Sequence, residues 1–178
     1  MIHTINKMTD IDNMSVENIL TSLGSELKEY ALDKKIHQPA LIGIRRGGVW
    51  IGQILCQDCF PGLEFGELNI AYYRDDFSKI GLHPTVEPSE LPFDIDGKDV
   101  ILFDDILYTG RTVRAAMNEI FDYGRPRSVI LVVLLDRGGR ELPIQPDLCG
   151  IKVELSSDYH VKLLGEDAKR MRVFELGK

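Results

Sequence analysis

The sequence lacks the features that mark several large classes of protein. Three cysteines among 178 residues are too few for a disulfide framework, so a reducing, cytoplasmic compartment is expected. No apolar run approaches the roughly twenty residues that a membrane helix needs, and residues 1–12 lack the apolar segment of a secretory signal. Positive charge is also scarce, because the chain has 21 lysines and arginines but 28 aspartates and glutamates. The net charge of −7 gives no general attraction for nucleic acid.

What is present suffices for one domain. Hydrophobic residues make up 44% of the chain, and no internal repeat or low-complexity segment divides it. Cys56 and Cys59 have the C-x-x-C spacing, but no second such pair and no histidine pair completes a zinc site, so we interpret them as packing residues. The four histidines show no metal-ligand spacing: His3, His37, His83 and His160. We therefore expect a single domain over residues 1–178.

Local patterns place the predicted elements. Apolar residues at helical spacing after Ser15 predict an amphipathic helix that reaches Ala31. Further helices are predicted over Val49–Cys56 and Thr112–Tyr123, and buried strands over Ala40–Ile44, Val100–Phe103 and Ser128–Leu135. Weaker strand candidates are His3–Ile5, Leu63–Tyr73, Gly150–Leu155, His160–Leu164 and Arg172–Leu176. The three buried strands are each followed by polar residues and glycines.

The stretch after Val100–Phe103 carries the strongest functional signal. Asp104 and Asp105 stand where the predicted strand ends, and a loop over Tyr108–Thr112 leads into a helix. A glycine-containing loop before a helix is an anion site, because unpaired backbone N–H groups and the positive end of the helix dipole face it. Adjacent carboxylates would repel a phosphate alone. They suit a sugar phosphate, whose hydroxyls they bind, with Mg²⁺ shared with a second phosphate to offset the charge.

A plainer interpretation is that the two aspartates end a strand and that Thr112 caps a helix. The density of these features within nine residues argues against it. The loop is not a P-loop, because no Gly-Lys-Ser/Thr follows, and it is not a Gly-x-Gly-x-x-Gly fingerprint.

A second junction of strand, glycines and helix lies at Arg45-Arg46-Gly47-Gly48. Arginines beside exposed backbone N–H groups suit a pyrophosphate, whose oxygens accept bidentate hydrogen bonds. Taken alone, these residues would be better interpreted as solvated arginines and a simple turn. Because ligands bind outside the carboxyl ends of parallel strands, we predict a pyrophosphate loop here. A third polar strand end follows at Asp136-Arg137-Gly138-Gly139-Arg140.

A polar stretch without periodicity runs from Arg74 to Gly97 and contains three prolines. Such a stretch in a compact domain is either a surface loop without a role or a functional lid. We predict a lid over residues 73–97, in which Arg74 and Lys79 close over an anionic ligand.

The loop over Asp104–Thr112 resembles the phosphoribosyl-pyrophosphate (PRPP) signature of the type I phosphoribosyltransferases. Together with Ile42–Gly48, Tyr73–Lys79 and Asp136–Ile144, it makes nearly the whole chain similar to the bifunctional pyrimidine operon attenuation regulator/uracil phosphoribosyltransferase family. The resemblance implies an α/β fold with a mostly parallel sheet between helices, a flexible hairpin lid, and a small hood formed by residues 136–178 with N-terminal residues. It also implies that PRPP and uracil give UMP and pyrophosphate, with Mg²⁺ held through PRPP and water.

The resemblance also implies roles for individual residues. Asp104 and Asp105 would be the catalytic pair that holds the ribose hydroxyls. The PRPP site would comprise Asp104, Asp105, Ile106, Leu107, Tyr108, Thr109, Gly110, Arg111 and Thr112, and pyrophosphate would lie on Arg45, Arg46 and Gly47. Arg137 and Val161 would contact uracil or the nucleotide, and Tyr73, Arg74, Asp75 and Asp76 would form the lid. The family forms homodimers and larger homo-oligomers, which we expect here too.

Two departures from the family pattern stand out. Gly47 occupies a position where the Gram-positive type of this family has an arginine; Arg46 is the candidate substitute, and a lower catalytic rate is the expected consequence. At the family's RNA-contacting positions this chain has Ser22, Ser25, Gly139, Gln145 and Ile151, and keeps only Thr21 and Arg140. We therefore predict weak or absent RNA binding, although oligomerisation could gather Arg125, Arg127, Arg140 and Lys152 into a patch. A nucleotide-sensing RNA attenuator with weak enzyme activity and a purine phosphoribosyltransferase stay open as alternatives.

Overall fold

Eight strands and three helices make up the described part of the chain, which in this computed structural model comprises residues 4–5, 15–70, 88–164 and 170–175. The strands are β1 (Thr4–Ile5), β2 (Ala40–Ile44), β3 (Phe65–Leu68), β4 (Asp99–Leu107), β5 (Ser128–Asp136), β6 (Leu148–Val153), β7 (Tyr159–Leu164) and β8 (Arg170–Glu175). The helices are α1 (Val16–Asp33), α2 (Gly47–Cys59) and α3 (Arg111–Tyr123). The predicted lid residues Tyr73, Arg74, Asp75 and Asp76, with His3 and His83, lie outside these ranges.

The first six strands form one sheet in the order β1-β6-β5-β4-β2-β3, and every pairing in it is parallel. The predicted α/β fold with a mostly parallel sheet is thereby confirmed. Alternate residues of each central strand face opposite sides, as strand geometry requires. On one side Leu41, Ile101 and Phe103 pack with α1 and α2. On the other, Ile42 and Leu102 pack with α3. The sheet is therefore buried on both faces between helices.

Helix α1 follows its predicted pattern closely. The Ser15 side chain caps it by accepting a hydrogen bond of 3.3 Å from the backbone N–H of Asn18. Its buried stripe comprises Val16, Ile19, Leu20, Leu23, Leu27 and Ala31, which recur at helical spacing. The prediction of this helix is confirmed, with two further residues at its C-terminus.

Several boundaries differ from the sequence-based prediction, and tertiary contacts explain those of β4 and α2. Strand β4 does not stop at Phe103, because β5 is equally long and continues the ladder up to the pair Leu107–Asp136. Helix α2 begins at Gly47 rather than Val49, so the two glycines expected in a turn form the first helical residues. Strand β3 is shorter than the predicted Leu63–Tyr73.

The last part of the predicted lid stretch, residues 88–97, is packed on the body of the protein. Glu90 pairs with Glu67 through two backbone hydrogen bonds of 2.8 Å, and Ile95 is 1% exposed. Of the predicted lid over residues 73–97, the described part is thus a packed segment, and residues 73–87 lie outside the described ranges.

Strands β7 and β8 form a separate antiparallel pair. Val161 and Met171, on one face of this pair, pack in the same core cluster as α1 and α2. Strand β6 belongs to the main sheet and β1 adds to its edge, so in the described residues the predicted hood amounts to β7 and β8. No helix in those residues has the length and apolar character needed to cross a membrane.

Candidate functional site

The chain segments that leave β2, β4 and β5 converge at one edge of the sheet. These strands are neighbours in the order β5-β4-β2 and run parallel, so their carboxyl ends lie side by side. The three polar strand ends singled out in the sequence are thus brought together: residues 45–47, 108–111 and 137–144.

Asp104 and Asp105 lie inside β4, not beyond its end as predicted. Asp104 is 4% exposed, and its Oδ1 accepts a hydrogen bond of 3.0 Å from the backbone N–H of Asp105, while its Oδ2 has no hydrogen-bond partner among the described residues. Oδ1 of Asp105 accepts a hydrogen bond of 2.9 Å from the backbone N–H of Ile106. Burial, and then the neighbouring carboxylate, raise the pKa of Asp104 well above its usual range, and burial also raises the pKa of Asp105. The pair therefore favours a ligand that brings positive charge or hydrogen-bond donors.

The start of α2 lies directly against this carboxyl pair. A Cβ atom on Gly47 would collide with the side chain of Asp105, and one on Gly48 would collide with the carbonyl oxygen of Phe103. No side chain fits at position 47 while Asp105 keeps its place, which is a physical reason for glycine there. The predicted pyrophosphate loop and the predicted catalytic pair thus lie against each other.

The two arginines of that loop behave differently. Nε of Arg45 donates a hydrogen bond of 2.8 Å to Oε2 of Glu67, and its side chain is 18% exposed. Arg46, joined to it by a cis peptide bond, is exposed. Arg46 is therefore the more accessible cation for an anion at this edge of the sheet.

The predicted phosphate loop occupies the turn between β4 and α3. Gly110 is the N-cap of α3, has a positive φ of 91° and offers no side chain to cap the helix. Oγ1 of Thr109 accepts a hydrogen bond of 3.3 Å from the backbone N–H of Arg111. Ile106 and Leu107, which the resemblance includes in the PRPP site, belong to β4, and Leu107 is buried. The loop proper is therefore Tyr108–Gly110, with Arg111 and the half-buried Thr112 in the first turn of α3.

The segment 136–144 wraps around the back of this loop, which the sequence did not indicate. The carbonyl oxygen of Thr109 accepts hydrogen bonds from the backbone N–H groups of Glu141 (3.0 Å) and Leu142 (3.1 Å). Arg140, matched in the sequence to an RNA-contacting position, has a side chain only 13% exposed and forms an ion pair of 2.7 Å with Asp136. The i,i+4 spacing of this acid and base was the available signal, but it is common on surfaces and does not indicate burial.

Arg137 and Val161 occupy different environments. Arg137 is 2% exposed, lies 3.7 Å above the ring of Tyr108 and donates a hydrogen bond of 3.1 Å to the carbonyl of Ser156. Within the part of the chain that the structure describes, its Nε has no hydrogen-bond partner, and burial lowers the pKa of its guanidinium. The Val161 side chain packs in the core, so a base contact from this residue would use its backbone. Arg137 places an unsatisfied donor next to the phosphate loop.

Comparison with known proteins agrees with this geometry. The model of the phosphoribosyl transferase domain matches residues 12–168. The bifunctional protein PyrR of Nitrosococcus oceani is 49% identical over 157 residues, which cover 87% of this chain and 89% of that protein. Bifunctional protein PyrR of Pseudomonas aeruginosa is 47% identical over 155 residues, covering 85% and 91%. These similarities extend over the whole site.

Solved structures show the same fold at low sequence identity. The hypoxanthine phosphoribosyltransferase of Trypanosoma cruzi superposes with a TM-score of 0.64 at 19% identity, covering 92% of this chain and 95% of that one. A hypoxanthine phosphoribosyltransferase from Staphylococcus aureus superposes with a TM-score of 0.59 at 21% identity, covering 86% and 84%. At such identity the likeness concerns the fold alone.

Proposed function

Because this chain belongs to the phosphoribosyl transferase domain family, and within it to the bifunctional PyrR proteins, we propose that it transfers the 5-phosphoribosyl group of PRPP to uracil, giving UMP and pyrophosphate. The proposal is supported mainly by one observation: Asp104 and Asp105, the loop that ends at Gly110, and the start of α2 all lie at the same edge of the sheet. One PRPP molecule presents groups for all three: ribose hydroxyls, a 5′-phosphate and a pyrophosphate.

The bond that breaks determines what the site must supply. Cleavage between C1′ and pyrophosphate builds positive charge on the ribose ring and negative charge on the leaving group. Two carboxylates beside the ring favour the first, and Arg46 with backbone N–H groups favours the second. Because Arg45 is paired with Glu67, we assign it to positioning β3 against the loop rather than to direct contact with pyrophosphate.

The donor set fits a magnesium ion held mainly by substrate. Within the described ranges no cluster of three or more His, Cys, Asp or Glu side chains could hold a metal by itself. The unpartnered Oδ2 of Asp104 is one available oxygen, and Mg²⁺ typically binds one or two carboxylates together with substrate phosphates and water. Such an ion would neutralise charge on the leaving pyrophosphate. Asp105 and Asp104 would hold it together with the ribose hydroxyls.

The choice of base rests on similarity and on Arg137. Uracil has carbonyl oxygens and a ring N–H, and the buried guanidinium with its unpartnered Nε is suited to such a carbonyl oxygen. The backbone of Val161 can complete the recognition by hydrogen bonds to the ring edge. Transfer to a purine base is the alternative reaction. It must be tested directly, because the hypoxanthine phosphoribosyltransferases share only the fold with this chain.

Incubation with PRPP, Mg²⁺ and one nucleobase at a time tests the proposal. We expect UMP from uracil, and no nucleotide from hypoxanthine, guanine or adenine under the same conditions. Formation of a purine nucleotide, or no nucleotide from uracil, would overturn the assignment. An Asp104→Asn variant serves as the inactive control for contaminating activity.

Assembly and location complete the proposal. We expect a homodimer or a larger homo-oligomer, which light scattering after gel filtration measures. Cys56, Cys59 and Cys149 are free thiols, which fits a reaction in the cytoplasm. Regulation of pyrimidine genes through RNA is the second candidate activity, favoured by the similarity to proteins named bifunctional.

A further inference from the structure

Every guanidinium nitrogen of Arg140 is engaged within the protein, although the sequence matched this residue to an RNA-contacting position. Nε donates a hydrogen bond of 2.8 Å to the carbonyl of Ile144, and Nη1 donates one of 2.7 Å to the carbonyl of Tyr108. Nη1 also lies 3.4 Å from the carbonyl oxygens of Leu107 and Gly138. Nη2 completes the set with the 2.7 Å ion pair to Asp136. The planar guanidinium thus joins the two ends of segment 136–144 to the phosphate loop.

Carbonyl groups of three consecutive residues are held on the Arg140 side. The oxygen of Leu107 accepts from the backbone N–H of Arg137 at 3.1 Å, that of Tyr108 accepts from Arg140, and that of Thr109 accepts from the N–H groups of residues 141 and 142. In a trans peptide the C=O and the following N–H point in opposite directions. The N–H groups of Tyr108, Thr109 and Gly110 are therefore directed away from segment 136–144. Carbonyl oxygens, which repel a phosphate, are kept at the back of the loop.

The surrounding backbone is shaped for this contact. Gly138 and Gly139 both have a positive φ, 71° and 72°, which lets the chain turn back beneath the loop. A Cβ on Gly139 would lie 2.5 Å from the ring of Tyr108. The backbone N–H of Gly138 also donates a hydrogen bond of 2.9 Å to Oδ1 of Asp136, the oxygen that receives Arg140. Oδ1 of Asp136 therefore accepts from both the Gly138 N–H and the Arg140 guanidinium, and these two contacts hold both side chains in place.

From these contacts we infer that Arg140 is a positioning residue that sets the peptide orientations of the phosphate loop for the 5′-phosphate of PRPP. The inference rests on the proposed function and deepens it, because it assigns to loop geometry a residue that the sequence matched to RNA contact. Lysine cannot replace the arginine, since one ammonium group cannot reach Asp136 and two separate carbonyl groups with fixed fork geometry.

Competition by two fragments of PRPP separates this role from general stability. Ribose 5-phosphate occupies the phosphate loop, whereas pyrophosphate occupies the loop at residues 45–47. In Arg140→Lys we expect the KM for PRPP and the Ki for ribose 5-phosphate to rise about tenfold, the scale of one missing charge-assisted hydrogen bond. The Ki for pyrophosphate should stay within about twofold, below the effect of one neutral hydrogen bond.

Arg127→Gln is the matched control, because Arg127 also pairs with an aspartate, Asp99, at the opposite end of β4 and β5. It should lower the melting temperature and leave both inhibition constants unchanged. Asp136→Asn is the second variant, used if Arg140→Lys does not fold. It keeps an acceptor for Gly138 and should shift the same constant in the same direction, by less.

Equal changes in both inhibition constants, or no change for ribose 5-phosphate, would overturn the inference while leaving an active enzyme. If the wild-type protein neither forms UMP nor binds PRPP, the proposed function fails, and the inference fails with it.

Discussion

Asp104 is the group whose chemistry depends most on its position in the strand. Its carboxyl lies inside β4, is almost fully buried, adjoins a second carboxyl and leaves one oxygen without a donor. Desolvation and the neighbouring charge both disfavour ionisation, so its pKa is raised. A carboxyl with a raised pKa in the folded state binds its proton more tightly there than in the unfolded chain. The stability it contributes is present below the unfolded pKa and is lost as the pH rises through the folded pKa.

Asp104→Asn should therefore raise the melting temperature near neutral pH, and the gain should shrink as the pH falls toward about 4, the unfolded pKa of aspartate. Asparagine is neutral and keeps an acceptor for the Asp105 N–H. Asp99→Asn is the control with the opposite sign, because the hydrogen bond from Arg127 lowers the pKa of Asp99. That variant should lose stability at neutral pH and little in acid. Thermal unfolding of both variants across this pH range measures the effect, and parallel behaviour would contradict the prediction.

The same substitution should suppress catalysis. We expect Asp104→Asn and Asp105→Asn each to lower kcat by about a hundredfold or more while the circular dichroism spectrum stays unchanged, because charge stabilisation of the ribose ring is lost. Initial rates with PRPP and uracil provide the measurement. Wild-type kinetics in both variants would remove the two residues from the catalytic site.

At the scale of elements, the sequence predicted correctly those helices and strands whose bounds depend only on neighbouring residues in the chain. β2 and the start of α1 follow from apolar runs, helical spacing and the Ser15 cap, all of which are encoded within a few residues. The end of β4 and the start of α2 depend on neighbours. The first is set by the length of β5, and the second by close approach of Gly48 to the Phe103 carbonyl. No sequence window around either boundary contains that information.

A pair of helix glycines tests how closely α2 approaches the carboxyl pair. Gly47→Ala should lower turnover, because its Cβ collides with the Asp105 side chain. Gly24→Ala in α1 is the control, since its Cβ would lie 3.5 Å from Leu55, an ordinary contact. That change should stabilise the fold by about 0.5–1 kcal/mol and leave turnover unaltered. Steady-state rates measure the turnover of both variants, and thermal unfolding measures their stability. A Gly47→Ala enzyme with wild-type kcat would show that Asp105 is free to move.

For the whole molecule, charge bears on the RNA question. Of the residues that could form a basic patch, Arg140 has a side chain that is only 13% exposed and engaged internally, whereas Arg127 is paired with Asp99 but keeps a side chain that is 66% exposed. Nη1 of Arg125 donates to the carbonyl of Phe121, while Lys152 is exposed. Each cation that is unable to pair with an RNA phosphate lowers the salt slope of binding by roughly 0.7–0.9 unit. A chain of net charge −7 adds general repulsion.

We therefore expect no specific RNA binding at submicromolar protein. A filter or gel-shift titration with the leader RNA of the host's pyrimidine operon, at physiological salt and with UMP present, measures this, with a scrambled RNA as control. Specific submicromolar binding would prove the prediction wrong and give the regulatory activity priority. Assays with the Arg140 variants would then show whether segment 136–144 contributes to it.

The order of the strands in the sheet is a property of the whole molecule that could not be predicted from the sequence. Motif spacing indicated which loops act together, since parallel strands gather their carboxyl ends. The pairing of Thr4 with Lys152, and the placement of β6 in the main sheet rather than in a hood, arise from contacts between residues almost 150 positions apart in the sequence.

That pairing also bears on how the protein emerges from the ribosome. β1, the first strand in the described residues, pairs there only with β6, whereas β2, β3, β4 and β5 can all pair once residue 136 has been synthesised. A nascent chain halted before Leu148 therefore presents β5 as an open edge and has no β6 with which β1 can pair. A four-stranded sheet can therefore form while β1 still lacks the strand it pairs with.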